Sequence, residues 1–372
     1  MEANRFQIRL ASMRILRSGH YIAKSPARIA QVGYDPVATR AIRLARFKAR
    51  PYRNHDFKFY RLPAELEAAL LEFAQWSDAH LSAEETATTP TSPLYHYTRA
   101  PNLEKILESQ RLWCFSHADQ SDKKEFSYSL QLAMSELDRI ERSGVPFADE
   151  FARCTRDLIQ RHDLTKVFSF YLFSLSESRD LESQWDKYAE KGTGYQLGFA
   201  PRLFLPTEPL SPHAERNAHV GKLIYGNAES SLAHREVLDK AAEIVSRIGM
   251  AHAGAIFASK RVHGDYINGM AKEVIARQLI WRSVVSKREC FRPEAERRFV
   301  IMNLQSRLVG KAQTLADGRS YVPYCIPLAE PGNLVEVLIG PNAAADAKDY
   351  VVKLLDRLGY KGAAVSRSTK RV

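Results

Sequence analysis

Leu94-Tyr-His-Tyr-Thr-Arg-Ala-Pro-Asn-Leu-Glu-Lys-Ile-Leu-Glu-Ser-Gln-Arg-Leu-Trp-Cys-Phe115 reads as one strand–helix–strand unit. Leu94–Tyr97 is rich in aromatics, as strands are. Leu103, Ile106 and Leu107 recur at helical spacing and predict a helix over Asn102–Gln110, after which Leu112–Phe115 returns to a strand. Downstream, Phe126, Leu130, Met134 and Leu137 share a helix face. Val167–Leu175 is a strong apolar strand, Leu181–Tyr188 a short helix and Gly194–Phe199 another strand. Further strands are expected at Lys222–Tyr225, Arg297–Met302, Tyr321–Ile326 and Val335–Ile339, with a long helical region at Leu232–Ser286 and a helix over Lys348–Leu358. Strands outnumber helices and do not alternate strictly with them. The expected class is therefore α+β, with a mixed, mainly antiparallel sheet core and peripheral helices, not a doubly wound parallel sheet.

Upstream, Ser82-Ala-Glu-Glu-Thr-Ala-Thr-Thr-Pro-Thr-Ser-Pro93 is small, polar and punctuated by proline, the composition of a connector. Before it, Leu66, Leu70, Phe73 and Trp76 predict a helix within Leu62–Leu81, opened by Pro63, Glu65 and Glu67. The expected organisation is a basic, mainly helical extension over 1–81, a linker over 82–93 and an α+β domain over 94–372. Of the net charge of +11, residues 61–372 carry only +1; residues 1–60 hold 13 basic residues against Glu2, Asp35 and Asp56. Within that arm Asp35-Pro36 resembles a helix start. Clustered Lys and Arg attract nucleic acid, an anionic surface or an acidic partner, and charge does not choose among them. A solvated arm without a ligand, or a targeting segment, has the same composition.

No apolar run approaches the roughly 18–20 residues of a membrane span. Cys114, Cys154, Cys290 and Cys325 are too scattered for a metal pair or a disulfide framework, so the expected location is cytoplasmic, with secretion as an effector or targeting through the arm left open. A phosphate-binding Gly-Lys-Ser/Thr loop, a His-Glu-x-x-His helix and a Gly-x-Ser-x-Gly elbow are all missing. Gly192-Thr-Gly194-Tyr-Gln-Leu-Gly198 has the wrong spacing for a dinucleotide fingerprint and leads into a strand instead of opening a helix, so the glycines between the Tyr188 helix and the Tyr195 strand are read as a turn.

Seven blocks, in order from about Leu94 to Ser368, resemble the bacterial domain-of-unknown-function family 2971. They are Leu94-Tyr-His-Tyr-Thr98 with Leu103–Leu107; Ser121-Asp-Lys-Lys-Glu125; Phe173-Ser-Leu-Ser176 leading to Gln184-Trp185 and Tyr188; Gly194–Phe199; Lys287; Phe291–Arg298; and Ile339-Gly-Pro341. That resemblance implies no activity. A second one does: His96-x-Thr98 on the first strand is similar to ADP-ribosyltransferases of the His-Tyr-Glu kind, while Ser174-Leu-Ser176 and Glu294-Ala-Glu296 are similar to the Ser-x-Ser and Glu-x-Glu elements of the Arg-Ser-Glu kind.

What the second resemblance implies is an ADP-ribosyltransferase-like fold with NAD as substrate and no metal. ADP-ribose would pass to a protein or nucleic-acid acceptor, or to water, in a defence, toxin or effector context. Glu296, Glu294 and His96 would be catalytic, because a fixed carboxylate stabilises oxocarbenium character on the ribose. Thr98 would join His96 on the ribose, Ser174 and Ser176 would line the site, and Trp185, Tyr188 or Tyr128 would stack on nicotinamide. Lys287 and Arg298 would meet pyrophosphate. Glu294, Glu296 and Arg298 project together if the strand begins at Glu294.

Each residue also has a purely architectural reading. His96 satisfies a backbone group at a strand edge, Trp185 and Tyr188 pack in the core, and Glu294, Glu296 and Arg298 form an ion network with Lys287. Asp122 and Glu125 sit early in a helix, where its dipole favours carboxylates. Two other functional classes fit the same sequence: a metal-dependent nuclease using His117, Asp119, Asp122 and Glu125, and a non-catalytic binding or sensing module.

Overall fold

The computed structural model describes residues 62–120, 124–161, 164, 170–204, 218–302 and 312–371. The basic arm over residues 1–60 and Asp122 lie outside the described residues. The chain is α+β and divides into two compact units. One takes 62–82, 134–161 and 235–280; the other takes 83–133, 164–234 and 281–371, less the residues just excluded.

The first unit is helical. Its core is built by Leu66, Ala69 and Phe73 of helix Ala64–Ala87, Phe151 and Leu158 of helix Ala148–Arg161, and Tyr266, Met270 and Val274 of helix Lys260–Val274. Helix Ala148–Arg161 has no counterpart in the sequence reading, although Phe151, Ala152, Thr155, Leu158 and Ile159 are buried at helical spacing. Helix Ala64–Ala87 outruns the helix expected to end at Leu81. Ser82–Ala87, read as connector, are its last turns, and Glu84 and Glu85 there bind Arg282 (2.9 Å) and His219 (2.6 Å). Their small and polar side chains are compatible with helix as well as loop, and in the helix Glu84 and Glu85 meet these two partners.

The second unit holds a ten-stranded sheet, mostly antiparallel. Its strands are β1 (Leu94–Thr98), β2 (Arg111–Ser116), β3 (Phe170–Ser176), β4 (Tyr195–Phe199), β5 (Ala218–Lys222), β8 (Glu296–Met302), β9 (Gln313–Thr314), β10 (Ser320–Cys325), β11 (Leu334–Ile339) and β12 (Ala364–Arg367). β6 (Ile224–Tyr225) and β7 (Ser286–Lys287) form a separate parallel pair. β3 is the hub. One edge carries β8 over its whole length; the other is shared, with β1 pairing at Ser176 and β2 at Tyr171 and Leu172. The sheet therefore splits between β1 and β2, and the Ser174 carbonyl faces that split. One sheet face is packed with Leu94, Phe173, Leu175, Leu197, Phe199 and Phe299. The other carries a smaller cluster of Tyr95, Tyr97, Trp185, Ala189 and Leu338.

Gly192 and Gly194 form the turn expected of them, just ahead of β4. Gly192 has φ +80°, Gly340 N–H donates to Gly194 C=O (2.9 Å) and Asn342 N–H to Gly192 C=O (2.9 Å). A Cβ at Gly194 would stand 2.2 Å from the Thr98 carbonyl oxygen and 3.2 Å from Ala189 Cα. Both are backbone atoms and neither can rotate away. Gly194→Ala is expected to lower stability by about 1–3 kcal/mol, read from urea unfolding. A change below about 0.5 kcal/mol would show that the turn yields instead.

Candidate functional site

The split beside β3 opens into a cavity of about 110 Å³. It is lined by Tyr95, His96 and Tyr97 of β1, Ser174, Leu175 and Ser176 of β3, and Glu296 and Arg298 of β8. Gln120, Glu125, Gln184, Tyr188, Lys287 and Glu294 complete it. Drug-sized ligands use pockets of roughly 300–1,000 Å³, so this one encloses a single ring or sugar and leaves the rest of any larger ligand outside.

Register explains which side chains meet. Tyr95 stands opposite Ser176 and Ser176 opposite Glu296, while Ser174 is opposite Arg298. Paired residues share a face, so Tyr95, Tyr97, Ser174, Ser176, Glu296 and Arg298 project together. His96 and Thr98 belong to the opposite face. His96 enters the cavity only because β1 and β3 part: its Nδ1–H donates to the Ser174 carbonyl (3.1 Å), a group the missing ladder leaves open, and its ring packs on Phe173 at 4.3 Å. A carbonyl only accepts, so Nδ1 carries the proton and Nε2 is the acceptor. Burial, partly offset by that hydrogen bond, lowers the His96 pKa from 6.5 to about 4, so the ring is neutral at pH 7. Thr98 is buried opposite Tyr195 on β4 and does not line the cavity, which corrects its expected ribose contact.

Glu296 is the centre of the polar network. Its Oε1 accepts from Ser174 Oγ (2.6 Å) and Arg298 Nε (2.9 Å), and its Oε2 from Lys287 Nζ (2.6 Å). Lys287 also binds Glu294 (2.7 Å), and Arg298 reaches Glu125 and the Val284 carbonyl (2.5 Å). Burial alone would raise the Glu296 pKa, but the Arg298 and Lys287 charges overcome it and hold the carboxyl at about 2. Burial alone would likewise lower Lys287; Glu296, Glu125 and Glu294 together hold it above its ordinary value. Both cations, expected to meet pyrophosphate, line the cavity and are paired with carboxylates. The strand starts at Glu296, not Glu294: a 3-10 turn over Glu289–Glu294 and the left-handed Ala295 (φ +45°) precede it. Glu294 reaches the network nonetheless, through Lys287.

The aromatic candidates separate cleanly. Trp185 is fully buried, donates Nε1–H to Asp180 (2.7 Å) and packs edge-on against Tyr97, so it belongs to the core. Tyr128 donates to Asn227 (2.8 Å) and does not line the cavity. Tyr188, 43% exposed, does line it. Ser176 shapes the adjoining turn, donating to the Glu294 carbonyl (2.9 Å) and accepting from Ser178 N–H (3.1 Å). Of the residues considered as metal ligands, His117 stacks on Phe170 at 3.8 Å, Asp119 accepts from Ser320 N–H (2.7 Å) and Glu125 binds Arg298. Among the described residues no three His, Cys, Asp or Glu side chains are grouped to hold an ion.

Tyr95, Gln120 and Gln184 line the cavity without having been expected as site residues. Tyr95 and Gln184 stand in blocks quoted for the family resemblance, which gives neither a role; Gln120 stands in none and carries no distinguishing signal. Comparison of the chain with family models, with curated proteins and with solved structures yields no match in any of the three.

Proposed function

We propose that this chain is an ADP-ribosyltransferase-like enzyme of the family-2971 kind that breaks the nicotinamide–ribose bond of NAD. ADP-ribose then passes to a protein or nucleic-acid acceptor, or to water. The observation that carries this reading is the Ser174–Glu296 hydrogen bond of 2.6 Å on neighbouring strands, inside a cavity that His96 and Tyr188 also line. Three segments far apart in sequence supply the polar groups that chemistry asks for.

In this reading Tyr188 stacks on the nicotinamide ring and His96 Nε2 accepts from a ribose hydroxyl. The C1′–N bond breaks with its electron pair leaving on nicotinamide, and positive charge grows on the ribose. Glu296, ionised far below neutral pH and fixed by three donors, acts as a preorganised charge and not as a proton acceptor. Glu294 is the carboxylate that takes the acceptor's proton as its oxygen or nitrogen attacks C1′.

The test is nicotinamide release from millimolar NAD, followed by chromatography without added metal. Ser174→Ala is expected to slow release by tenfold or more, within the range for losing one site hydrogen bond of roughly 1–3 kcal/mol. Tyr188→Ala is expected mainly to raise KM. Release by the wild-type chain no faster than a buffer blank would end the reading.

A further inference from the structure

The charges around the cavity balance only when a surface side chain is counted. Glu125, Glu294 and Glu296 surround two buried cations, Lys287 and Arg298, whose side chains are 7% and 5% exposed. The remaining positive partner is Lys187, whose Nζ lies 3.0 Å from Glu294 Oε1 and whose side chain is 46% exposed. It reaches in from helix Glu182–Tyr188, next to the one exposed aromatic lining the cavity, and its Nζ is 5.5 Å from the Phe291 ring. Lys287 has two carboxylates and is buried. Lys187 has one carboxylate and an open side, so it can leave at little cost in solvation.

We propose that Lys187 is an internal competitor for the cavity's ligand. Its ammonium compensates the carboxylate that a cationic ring on Tyr188 would compensate, and such a ring binds by displacing it into solvent. The inference rests on the NAD reading, in which the oxidised nicotinamide ring is that cation. It adds a consequence: once Lys187 has moved, the ring balances the buried carboxylates, and as the C1′–N bond breaks and the ring becomes neutral, their net negative charge favours the positive charge growing on the ribose. A neutral ring of the same shape gains nothing from the exchange, so the cavity selects by charge as well as by size.

The test uses the full chain and two small probes, the 1-methylnicotinamide cation and neutral nicotinamide, with binding followed by calorimetry. Lys187→Met removes the competitor at an exposed position, and its thermal midpoint checks that the fold is kept. The cation is expected to bind this variant about tenfold tighter than wild type, the affinity that wild type gives up in breaking the Lys187–Glu294 pair. Nicotinamide is expected to bind both alike, Lys187→Arg to behave as wild type, and Glu294→Gln added to Lys187→Met to erase the gain. Equal affinity of the cation for wild type and Lys187→Met, including no binding to either, overturns the inference. Because no NAD is cleaved, the readings separate: a gain without nicotinamide release sinks the catalytic reading alone, and release without a gain sinks this one alone.

Discussion

Glu296→Gln is expected to destabilise the fold by about 3–5 kcal/mol, the cost of leaving a buried charge without its partner. The sequence alone suggests a clean catalytic knockout that leaves folding intact. The structure says otherwise, because the same buried carboxylate accepts from Ser174, Arg298 and Lys287. An amide keeps one acceptor oxygen, but turns the other position into a donor facing an ammonium or a guanidinium. Urea unfolding at pH 7 with an unchanged m-value measures the loss. The matched variant Glu296→Gln with Lys287→Met removes one charge of each sign, so it is expected to cost less than the two single changes summed. Additive losses, or a single-variant loss under about 1 kcal/mol, would show that the network is not coupled. Abolished nicotinamide release in Glu296→Gln therefore counts as catalytic evidence only below its unfolding transition.

Acid is expected to weaken the protein in two overlapping steps. His96 titrates at about 4 in the fold against 6.5 when unfolded, so the unfolded chain binds its proton first. Stability from this residue is complete above about pH 6.5 and drains away as pH falls towards 4. Glu296 titrates at about 2 against 4.5. Its contribution is complete above about 4.5 and is lost as pH falls towards 2, a term on the order of 3 kcal/mol. Unfolding free energies at pH 7, 5.5, 4 and 3 read both steps. His96→Asn keeps a donor for the Ser174 carbonyl without a titrating ring, and is expected to flatten the wild-type slope between 6.5 and 4. An unchanged slope in that variant would remove His96 as its cause.

The elements were largely legible because their signals are local. Aromatic alternation marked β1, and Leu103, Ile106 and Leu107 marked the helix after it within a residue or two. Ala148–Arg161 escaped, though its apolar spacing was on the page. Ser82–Ala87 was misread because Ser, Thr and Ala are compatible with both loop and helix; in the helix Glu84 and Glu85 meet Arg282 and His219.

The site was legible as residue types and not as roles. Sequence singled out His96, Ser174, Glu294, Glu296, Lys287, Arg298 and Tyr188, all of which line the cavity. It also singled out Trp185 and Thr98, which do not. Spacing of two along a strand predicted a shared face for Glu294 and Glu296, whereas a 3-10 turn and a left-handed Ala295 bring Glu294 to Lys287 by another path.

From residue order alone came the α+β class, the glycine turn at 192–194 and the candidate polar residues, since each depends on periodicity or on a backbone preference within a few neighbours. Only the tertiary structure decided that β3 gives one edge to two partners, that His96 fills the resulting gap, and that Glu296 is held by two cations. The first two outcomes depend on pairings between distant segments, Ser116 with Tyr171 and Tyr95 with Ser176, where strand register and not local propensity sets which side chains meet; the third depends on the turn over Glu289–Glu294 that carries Lys287 back to Glu296.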